Sequence, residues 1–566
     1  MSRHRSVLAG LLALLVYVAL CPPVPGMGDS SEFDLVLATN GVAHPTGYPL
    51  YTLFGHLFCV VLHALGAPWP LAANLLSALG AAVAVGFLYA LGVELVATWE
   101  PGPPRASAAP ARAGASRRLP ARTAYAAAAI VATSVPVLLF AFQPVLMDEA
   151  VVAEVNSWSV AWTCATAFAF VRLFALIAGA GPTGARLGRA AALWGLLCGS
   201  GLAHHLTSVL VSVPLSGALL VALARRRWLA PGLLVVAVAA ALLPLSSYGV
   251  IAWRAWHPAR FQWPLLEPGA ASVLAHVTGA QYRHFLGHFA PAASERESIL
   301  RVVVPFVVPG LVFLAWGVAR SKVGPWRIAW SGLLAAAGLV TAFAFSYGVP
   351  DPAPYFLPAM ALAAAAAVPP AVALCRSRRG GGMLRAAALG LAALALIVPW
   401  VGAGVRSREG CVAAESMIRS MWSAVPADSA IVFWPDDRFV RLQEYQLLGG
   451  EKPGVYVLMP DMLLERRTRA DFVARFGIDP AEGLAVPDAP PRDPGSRNPA
   501  LPSLNALVAS VNDRVRVPVI IFDPAVPVVR QLRKPANGAQ APRLVRGGAV
   551  GTVPIQNQDP APHPVR

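Results

Sequence analysis

Long apolar segments, each followed by a short polar interruption, recur along most of this chain and restrict its fold more than any other feature. A helix needs roughly 20 apolar residues to cross about 30 Å of hydrocarbon. Of the 566 residues, 56% are hydrophobic and 13% are charged, so a water-soluble multidomain enzyme is not expected. We predict about eleven transmembrane helices, at 6–25, 71–97, 123–143, 157–179, 190–203, 206–224, 228–251, 302–320, 328–347, 355–375 and 386–404.

Two of these assignments have an alternative. The segment 190–224 could form one long tilted helix, but Gly199, Gly201 and the polar run 204–207 favour a hairpin of two short helices. The first segment also resembles a signal peptide. Because no A-x-A cleavage site follows it, we favour an uncleaved helix.

The arginines and lysines predict the orientation of these helices, because basic residues accumulate in short cytoplasmic loops. They occur in alternate loops, whereas the loops at 26–70, 144–156 and 348–354 contain none. The N-terminus is therefore expected inside, and an odd number of crossings places the C-terminal part outside. The formal charge of +16 is then largely topological, so we expect no nucleic-acid partner. The expected location is a bacterial inner membrane, with the C-terminal domain in the periplasm.

The polar regions predict the domain organisation. Apolar β-like runs at 429–434, 454–459 and 517–522, with a helical pattern around 439–448, indicate a small α/β domain. The fold class is thus a polytopic all-α membrane protein with a small C-terminal α/β exterior domain. The predicted parts are a transmembrane domain 1–404 with its first exterior loop at 26–70 and a cytoplasmic linker at 98–122, a periplasmic domain 405–532 and a disordered tail 533–566.

The first exterior loop places Asp29, Glu32 and Asp34 directly after a membrane helix. Carboxylates near lipid head groups are unfavourable unless they contact protons, cations or a substrate. A helix cap is the alternative, with Asp29 as N-cap and Glu32 reaching back in a capping box. Taken alone, the three acids favour the cap. The nearby turn with His44, Pro45, Tyr48 and Tyr51 favours a site, because it would hold aromatic and imidazole groups beside the acids.

The loop also carries a recognisable pattern, D-S-x-E-F followed by H-P-x-G-Y-P-L-Y-x-L-x-G. This pattern closely resembles a bacterial family, defined as a domain of unknown function, that is related to the transmembrane protein O-mannosyltransferase within the GT-C glycosyltransferases. The chain departs from the family pattern at Gly28, Ser31 and His204, which leaves donor or acceptor choice open. The resemblance continues through AVVAEVNSW at 150–158, GLAHHLT at 201–207, HVTGAQY at 276–282, DPAPYFLP at 351–358 and the VPADSAIVFWPDD and LQEYQLL segments.

The resemblance implies a GT-C-like fold and a glycosyltransferase. Its donor would be a polyprenyl-phosphate sugar, and it would transfer a hexose, by resemblance mannose, to a hydroxyl of a periplasmic protein or glycan. Asp29 and Glu32 are the expected catalytic residues, with Asp29 accepting the proton of the acceptor hydroxyl. Arg254, Arg260 and Arg283 are candidate cations for the phosphate, although lipid head-group contact is the simpler role of each.

Further side chains are expected around the substrate. The second acidic patch contains Glu154, which would bind the acceptor or hold a divalent cation together with Asp29 and Glu32. Asp148 and Glu149 fit a solvated loop face better. Metal dependence stays open, no HxxxH spacing supports a histidine site, and no other cofactor is expected. The expected substrate-binding residues are His44, Pro45, Tyr48, Tyr51, Glu154, His204, His205, Tyr282 and Arg283.

A transporter or flippase of lipid-linked saccharide is the alternative function. Such a protein is also polytopic and basic inside, but it predicts intramembrane charges and internal repeats. The predicted helices carry almost no charge in their middle, and no inverted repeat is evident. The sequence therefore favours the glycosyltransferase.

Overall fold

The computed structural model divides the chain into two units by internal contacts, Met1–Val412 and Ala413–Arg566. The predicted tail 533–566 and most of the predicted linker 98–122 lie outside the described residues. The structure describes residues 2–26, 28–99, 119–179, 183–287, 293–321, 324–349, 351–376, 381–434, 437–484, 504–523 and 528–532.

The first unit is built from helices, and the last of them continues beyond Val412. Three short 3-10 segments at Leu206–Ser208, Ala280–Phe285 and Ala353–Phe356, and a π-helical turn at Ile299–Val303, lie between them. The helices are α1 Ser2–Leu20, α2 Ser30–Thr39, α3 Pro49–Ala64, α4 Trp69–Trp99, α5 Leu119–Phe142, α6 Pro144–Val151, α7 Asn156–Ala178, α8 Gly184–His204, α9 Val209–Arg225, α10 Pro231–Leu245, α11 Tyr248–Trp256, α12 Ala270–Val277, α13 Ala293–Ser298, α14 Val304–Arg320, α15 Pro325–Ser346, α16 Leu357–Cys375 and α17 Gly382–Ser423.

The apolar helices confirm a multi-pass membrane protein. Among the described residues, nine are long and apolar enough to cross a bilayer, and ten if α5 and α6, bent by 61°, form one span. The count of eleven is therefore not confirmed. The difference lies in α8, which has 21 residues but carries Arg186 and Arg189 in its first turns. The predicted break at 204–207 is confirmed, because α8 ends at His204 and α9 begins at Val209.

Two apolar helices of this unit differ strongly in how much of their surface is buried. The apolar window of α4 is 67% buried, because α4 is apolar all round and packs against α1, α7 and α16. The window that begins at α10 is only 6% buried, although its mean hydropathy is higher. Its main contact is α8, where Gly195 and Gly199 lie against the backbone of α10. Most of α10 is thus available to lipid.

The second unit contains a four-stranded sheet of order β2-β1-β3-β4. The strands β1 Ala430–Phe433, β2 Val455–Leu458 and β3 Val519–Asp523 run parallel, and β4 Val528–Gln531 pairs antiparallel with β3. The three predicted strands and the predicted helix are confirmed, the latter as α18 Val440–Gly449. The remaining helices are α19 Arg466–Phe476 and α20 Leu504–Arg514.

Candidate active site

The acidic loop leads directly into α2, but its carboxylates do not cap that helix. Gly28 has φ +71°, a left-handed conformation that favours glycine. Asp29 occupies the N-cap position of α2 but makes no side-chain capping hydrogen bond. The hydroxyl of Ser30 accepts from the backbone N–H of Gly26 at 2.9 Å. The alternative interpretation as a capping box is therefore wrong, since Glu32 is bonded to His44.

Glu32 holds the histidine of the following turn. Its Oε1 accepts from the backbone N–H of His44 at 2.6 Å, and its Oε2 lies 3.0 Å from His44 Nδ1. The opposite nitrogen, Nε2, lies 3.0 Å from the hydroxyl of Tyr48. Asp29 Oδ2 lies 3.8 Å from the same Nε2. The acids, twelve or more residues before the histidine in the sequence, thus form one cluster with it.

The two carboxylates differ in access. The Glu32 side chain is 7% exposed and the Asp29 side chain is 44% exposed. Asp29 is therefore the carboxylate that a second molecule can reach. Desolvation by the surrounding protein raises the pKa of Asp29, His44 lowers it and Glu32 raises it.

The turn between α2 and α3 requires a glycine at position 47. Gly47 has φ +83°, and a Cβ there would lie 2.4 Å from Ile251 Cδ1 and 3.1 Å from His276 Nε2. Pro45 is buried, and Tyr48 precedes α3 in a left-handed conformation. The ring of Phe33 packs against those of His44, Tyr48 and Tyr51, with centroids 5.4–6.0 Å apart. These contacts fix the imidazole relative to the acids.

One turn of α4 holds both acidic loops. The side-chain amide of Asn74 donates to the carbonyls of Pro22 and Val24 at 2.9 and 3.1 Å, just before the first loop. The hydroxyl of Ser77 bonds both the carbonyl and the N–H of Glu154 in the second loop, each at 3.0 Å. Both α4 residues are fully buried. We did not predict this role, although polar residues inside an apolar segment are a signal for it.

The second loop contributes carboxylates to the same region. Burial, followed by the fields of Glu149 and Asp29, raises the pKa of Glu154 well above its usual range. Glu149 is 8% exposed and accepts from the Asn156 side chain at 2.9 Å. The interpretation of Glu149 as part of a solvated face is therefore wrong, whereas Asp148 is exposed as expected.

The paired histidines, His204 at the end of α8 and His205 directly after it, contact residues of the cluster. Nε2 of His204 lies 3.2 Å from the carbonyl of Val155, and the ring lies 6.1 Å from that of Tyr51. The His205 ring lies 5.4 Å from that of Tyr48. Burial lowers the pKa of His205 to about 3, so its imidazole is neutral. These contacts agree with hydrogen-bonded histidines beside the candidate site.

Three tyrosine rings, those of Tyr282, Tyr347 and Tyr355, lie around the cluster. Tyr347 and Tyr355 were not predicted as site residues. The ring of Tyr282 lies 6.4 Å from that of His44, and its role in substrate binding stays a prediction. Tyr355 lies 6.3 Å from His205 and 4.9 Å from Tyr347. The family-like segment 351–358 contains Tyr355, but sequence spacing did not connect it with the acidic loop. Arg283 follows Tyr282 and is exposed.

The acids and histidines of the cluster do not converge as metal ligands do. Within the described ranges, no group of three or more His, Cys, Asp and Glu residues is arranged to hold a metal ion. A shared cation between Asp29, Glu32 and Glu154 therefore stays a prediction without structural support. The arrangement does supply an accessible base, a fixed imidazole and aromatic surfaces.

Residues 29–229 match the model of the family described as the protein O-mannosyl-transferase TMEM260 N-terminal domain. This match begins at Asp29 and confirms the family resemblance that the acidic loop indicates. It covers the clustered residues of both acidic loops and the paired histidines. No curated protein matches the chain.

Solved structures of the oligosaccharyltransferase of Archaeoglobus fulgidus are also similar to this chain. The protein AglB, in complex with an inhibitory peptide and a dolichol-phosphate, is 12% identical with a TM-score of 0.42, over 77% of this chain and 63% of that chain. The form tethered with an acceptor peptide is 13% identical with a TM-score of 0.43, over 78% and 63%. The chain therefore spans less than two thirds of the length of these structures.

Proposed function

We propose that this chain is a membrane glycosyltransferase of the GT-C type. It moves a hexose, by family resemblance mannose, from a polyprenyl-phosphate donor to a hydroxyl of a periplasmic protein or glycan. The family match over residues 29–229 supports the reaction class. The observation that carries the proposal is the pairing of an accessible carboxylate, Asp29, with a buried one, Glu32, around His44.

In this reaction Asp29 takes the proton from the acceptor hydroxyl. The acceptor oxygen forms a bond to the anomeric carbon as the bond from that carbon to the phosphate oxygen breaks, and the polyprenyl phosphate leaves in ionised form. Such a leaving group needs no protonation by a general acid. One carboxylate is therefore sufficient for the proton transfer.

The neighbouring residues position this base. Glu32 fixes the ring of His44 through two hydrogen bonds, and His44 Nε2 then faces both Asp29 and the Tyr48 hydroxyl. The rings of Tyr282 and Tyr355 offer flat apolar surfaces to a sugar ring. Ser77 fixes the backbone of Glu154, and the carboxyl group of Glu154 hydrogen-bonds to sugar or acceptor hydroxyls in the proposed reaction.

The first test removes the base. We expect Asp29→Asn to reduce transfer by at least about 100-fold, because the amide cannot accept the proton. The assay uses full-length protein in liposomes with radiolabelled polyprenyl-phosphate mannose or glucose and a periplasmic extract, and it measures labelled acceptor. The control Asp148→Asn makes the same chemical change at an exposed carboxylate of the second loop and should leave transfer unchanged.

The same assay distinguishes the rival function. If Asp29→Asn transfers sugar at the wild-type rate, the assigned base is wrong. If no lipid-linked sugar supports transfer but labelled lipid crosses the liposome bilayer, the protein is a transporter or flippase. The ion pair between Arg172 of α7 and Glu94 of α4, at 3.0 Å, would then be the first candidate for charged residues that take part in transport.

A further inference from the structure

A cavity of about 280 Å³ lies among α7, α8, α9 and α10. Its walls are apolar side chains, among them Ile177, Leu187 and Leu219. The indole of Trp194 donates to the hydroxyl of Ser216 at 2.9 Å, so these two polar groups on the wall already satisfy each other. A space with such walls fits a hydrocarbon chain and disfavours a polar ligand.

The dimensions match a single lipid chain. Along α8 the wall runs from residue 187 to residue 198. At 1.5 Å per residue this is about 16 Å, which is roughly half of a 30 Å hydrocarbon core. The cavity therefore spans one leaflet of a bilayer.

One end of the cavity is strongly basic. Arg186 and Arg189 lie in the first turns of α8, and 225–227 at the end of α9 is a run of three arginines, all exposed. The guanidinium of Arg226 donates to the carbonyl of Ala178 at 3.3 Å, one residue beyond the wall residue Ile177. The sequence contains no Asp or Glu between residues 155 and 266. This end is thus complementary to a phosphate.

We propose that this cavity binds an anionic phospholipid, with an acyl chain between the four helices and the phosphate on the arginines. The occupant is not the sugar donor. The donor must reach Asp29, which lies in the cluster with His204 and His205 at the far end of α8. The 21 residues of α8 separate its two ends by about 30 Å. The exclusion of the donor rests on the proposed function, whereas the binding of a phospholipid does not.

Native mass spectrometry of the purified full-length protein tests the headgroup. Phosphatidylglycerol and phosphatidylcholine of identical chains are supplied in equal amounts. We expect the wild type to retain phosphatidylglycerol at least about fivefold more often. The double variant Arg225→Gln/Arg227→Gln should lose this preference, whereas the control Arg466→Gln/Arg516→Gln removes the same charge from exposed positions of the second unit and should keep it. Equal retention of the two lipids by the wild type would overturn the proposal.

The cavity itself is tested by filling it. Ala191 lies on the wall, so Ala191→Trp should abolish retention of both lipids. In case that variant fails to fold, phosphatidylglycerol with a photoreactive group in mid-chain is crosslinked to the wild type. We expect labelled peptides from 187–198 and 229–241. Labels confined to other helices, or displacement of phosphatidylglycerol by equimolar polyprenyl phosphate, would contradict the proposal.

Discussion

Asp29 and Glu32 stand one helical turn apart but have opposite surroundings. Glu32 is buried, and its two oxygens lie within hydrogen-bond distance of two nitrogens of His44. The side chain of Asp29, in contrast, is partly exposed to solvent. The sequence predicts that the two acids share a helix face, and it fits both a cap and a site. It could not separate the roles, because the donors that engage Glu32 come from a residue twelve positions later.

This arrangement predicts the pH dependence of transfer. Asp29 must be ionised to accept a proton. Because its pKa is raised, lowering the pH should reduce activity already at pH values above the ordinary aspartate pKa of about 3.9. Glu32 raises the pKa of Asp29 and His44 lowers it. We therefore expect Glu32→Gln to move the acidic limb of kcat/KM to lower pH and His44→Gln to move it to higher pH.

The measurement is the pH profile of kcat/KM for the wild type and both variants. His56 lies on α3 with its Nδ1 against the carbonyl of Leu37, so His56→Gln is a matched control that should leave the limb in place. A purely structural role for Glu32 and His44 would lower the rate without moving the limb. Shifts of both variants in the same direction would contradict the assigned electrostatics.

At the level of elements, α4 combines two functions in one apolar helix. Its length and hydropathy predict a membrane span, which the structure confirms. Asn74 and Ser77, both fully buried, connect it to the two acidic loops. Hydropathy could not reveal this, because the partners are backbone groups whose positions depend on the packing of α1 and α7. The polar residues themselves were the available signal.

Substituting Asn74 should therefore disturb the site without removing any acid. Asn74→Leu leaves the buried carbonyls of Pro22 and Val24 without these donors, at a cost of about 1–3 kcal/mol in the free energy of unfolding. We expect a lower melting temperature and reduced transfer. The control Thr98→Val removes a hydroxyl bonded within the last turns of the same helix and should change neither. Unchanged transfer by Asn74→Leu would separate α4 from the site.

The contact between α8 and α10 gives a second prediction for an element. A Cβ at Gly195 would lie 1.9 Å from the carbonyl oxygen of Ala237, so the helices must move apart in Gly195→Ala. We expect a loss of about 1–3 kcal/mol in stability. A Cβ at Gly188 on the same helix would meet no neighbour within 4 Å, so Gly188→Ala should be neutral or slightly stabilising. Thermal unfolding in detergent measures both.

For the whole molecule, hydropathy and charge predicted the fold class and most element positions. The number of crossings did not follow, because the arginines at the start of α8 lower its hydropathy and a bend divides α5 from α6. The strand β4 was missed since it is a short edge strand that contains Arg530 and Gln531. Tyr347 and Tyr355 were missed for a different reason. Tyr355 lies beside His205 and Tyr347 lies beside Tyr355, and both positions depend on how α15 and α16 pack, which no local pattern contains.

The turn of α4 that bears Asn74 and Ser77 also limits how hybrid proteins can be made from relatives of this chain. The first acidic loop is tied to this turn through Pro22 and Val24, and the second through Glu154. A graft that exchanges one loop alone would place foreign backbone against donors and acceptors fitted to another partner. The smallest exchangeable piece is therefore discontinuous in sequence: both loops together with the beginning of α4.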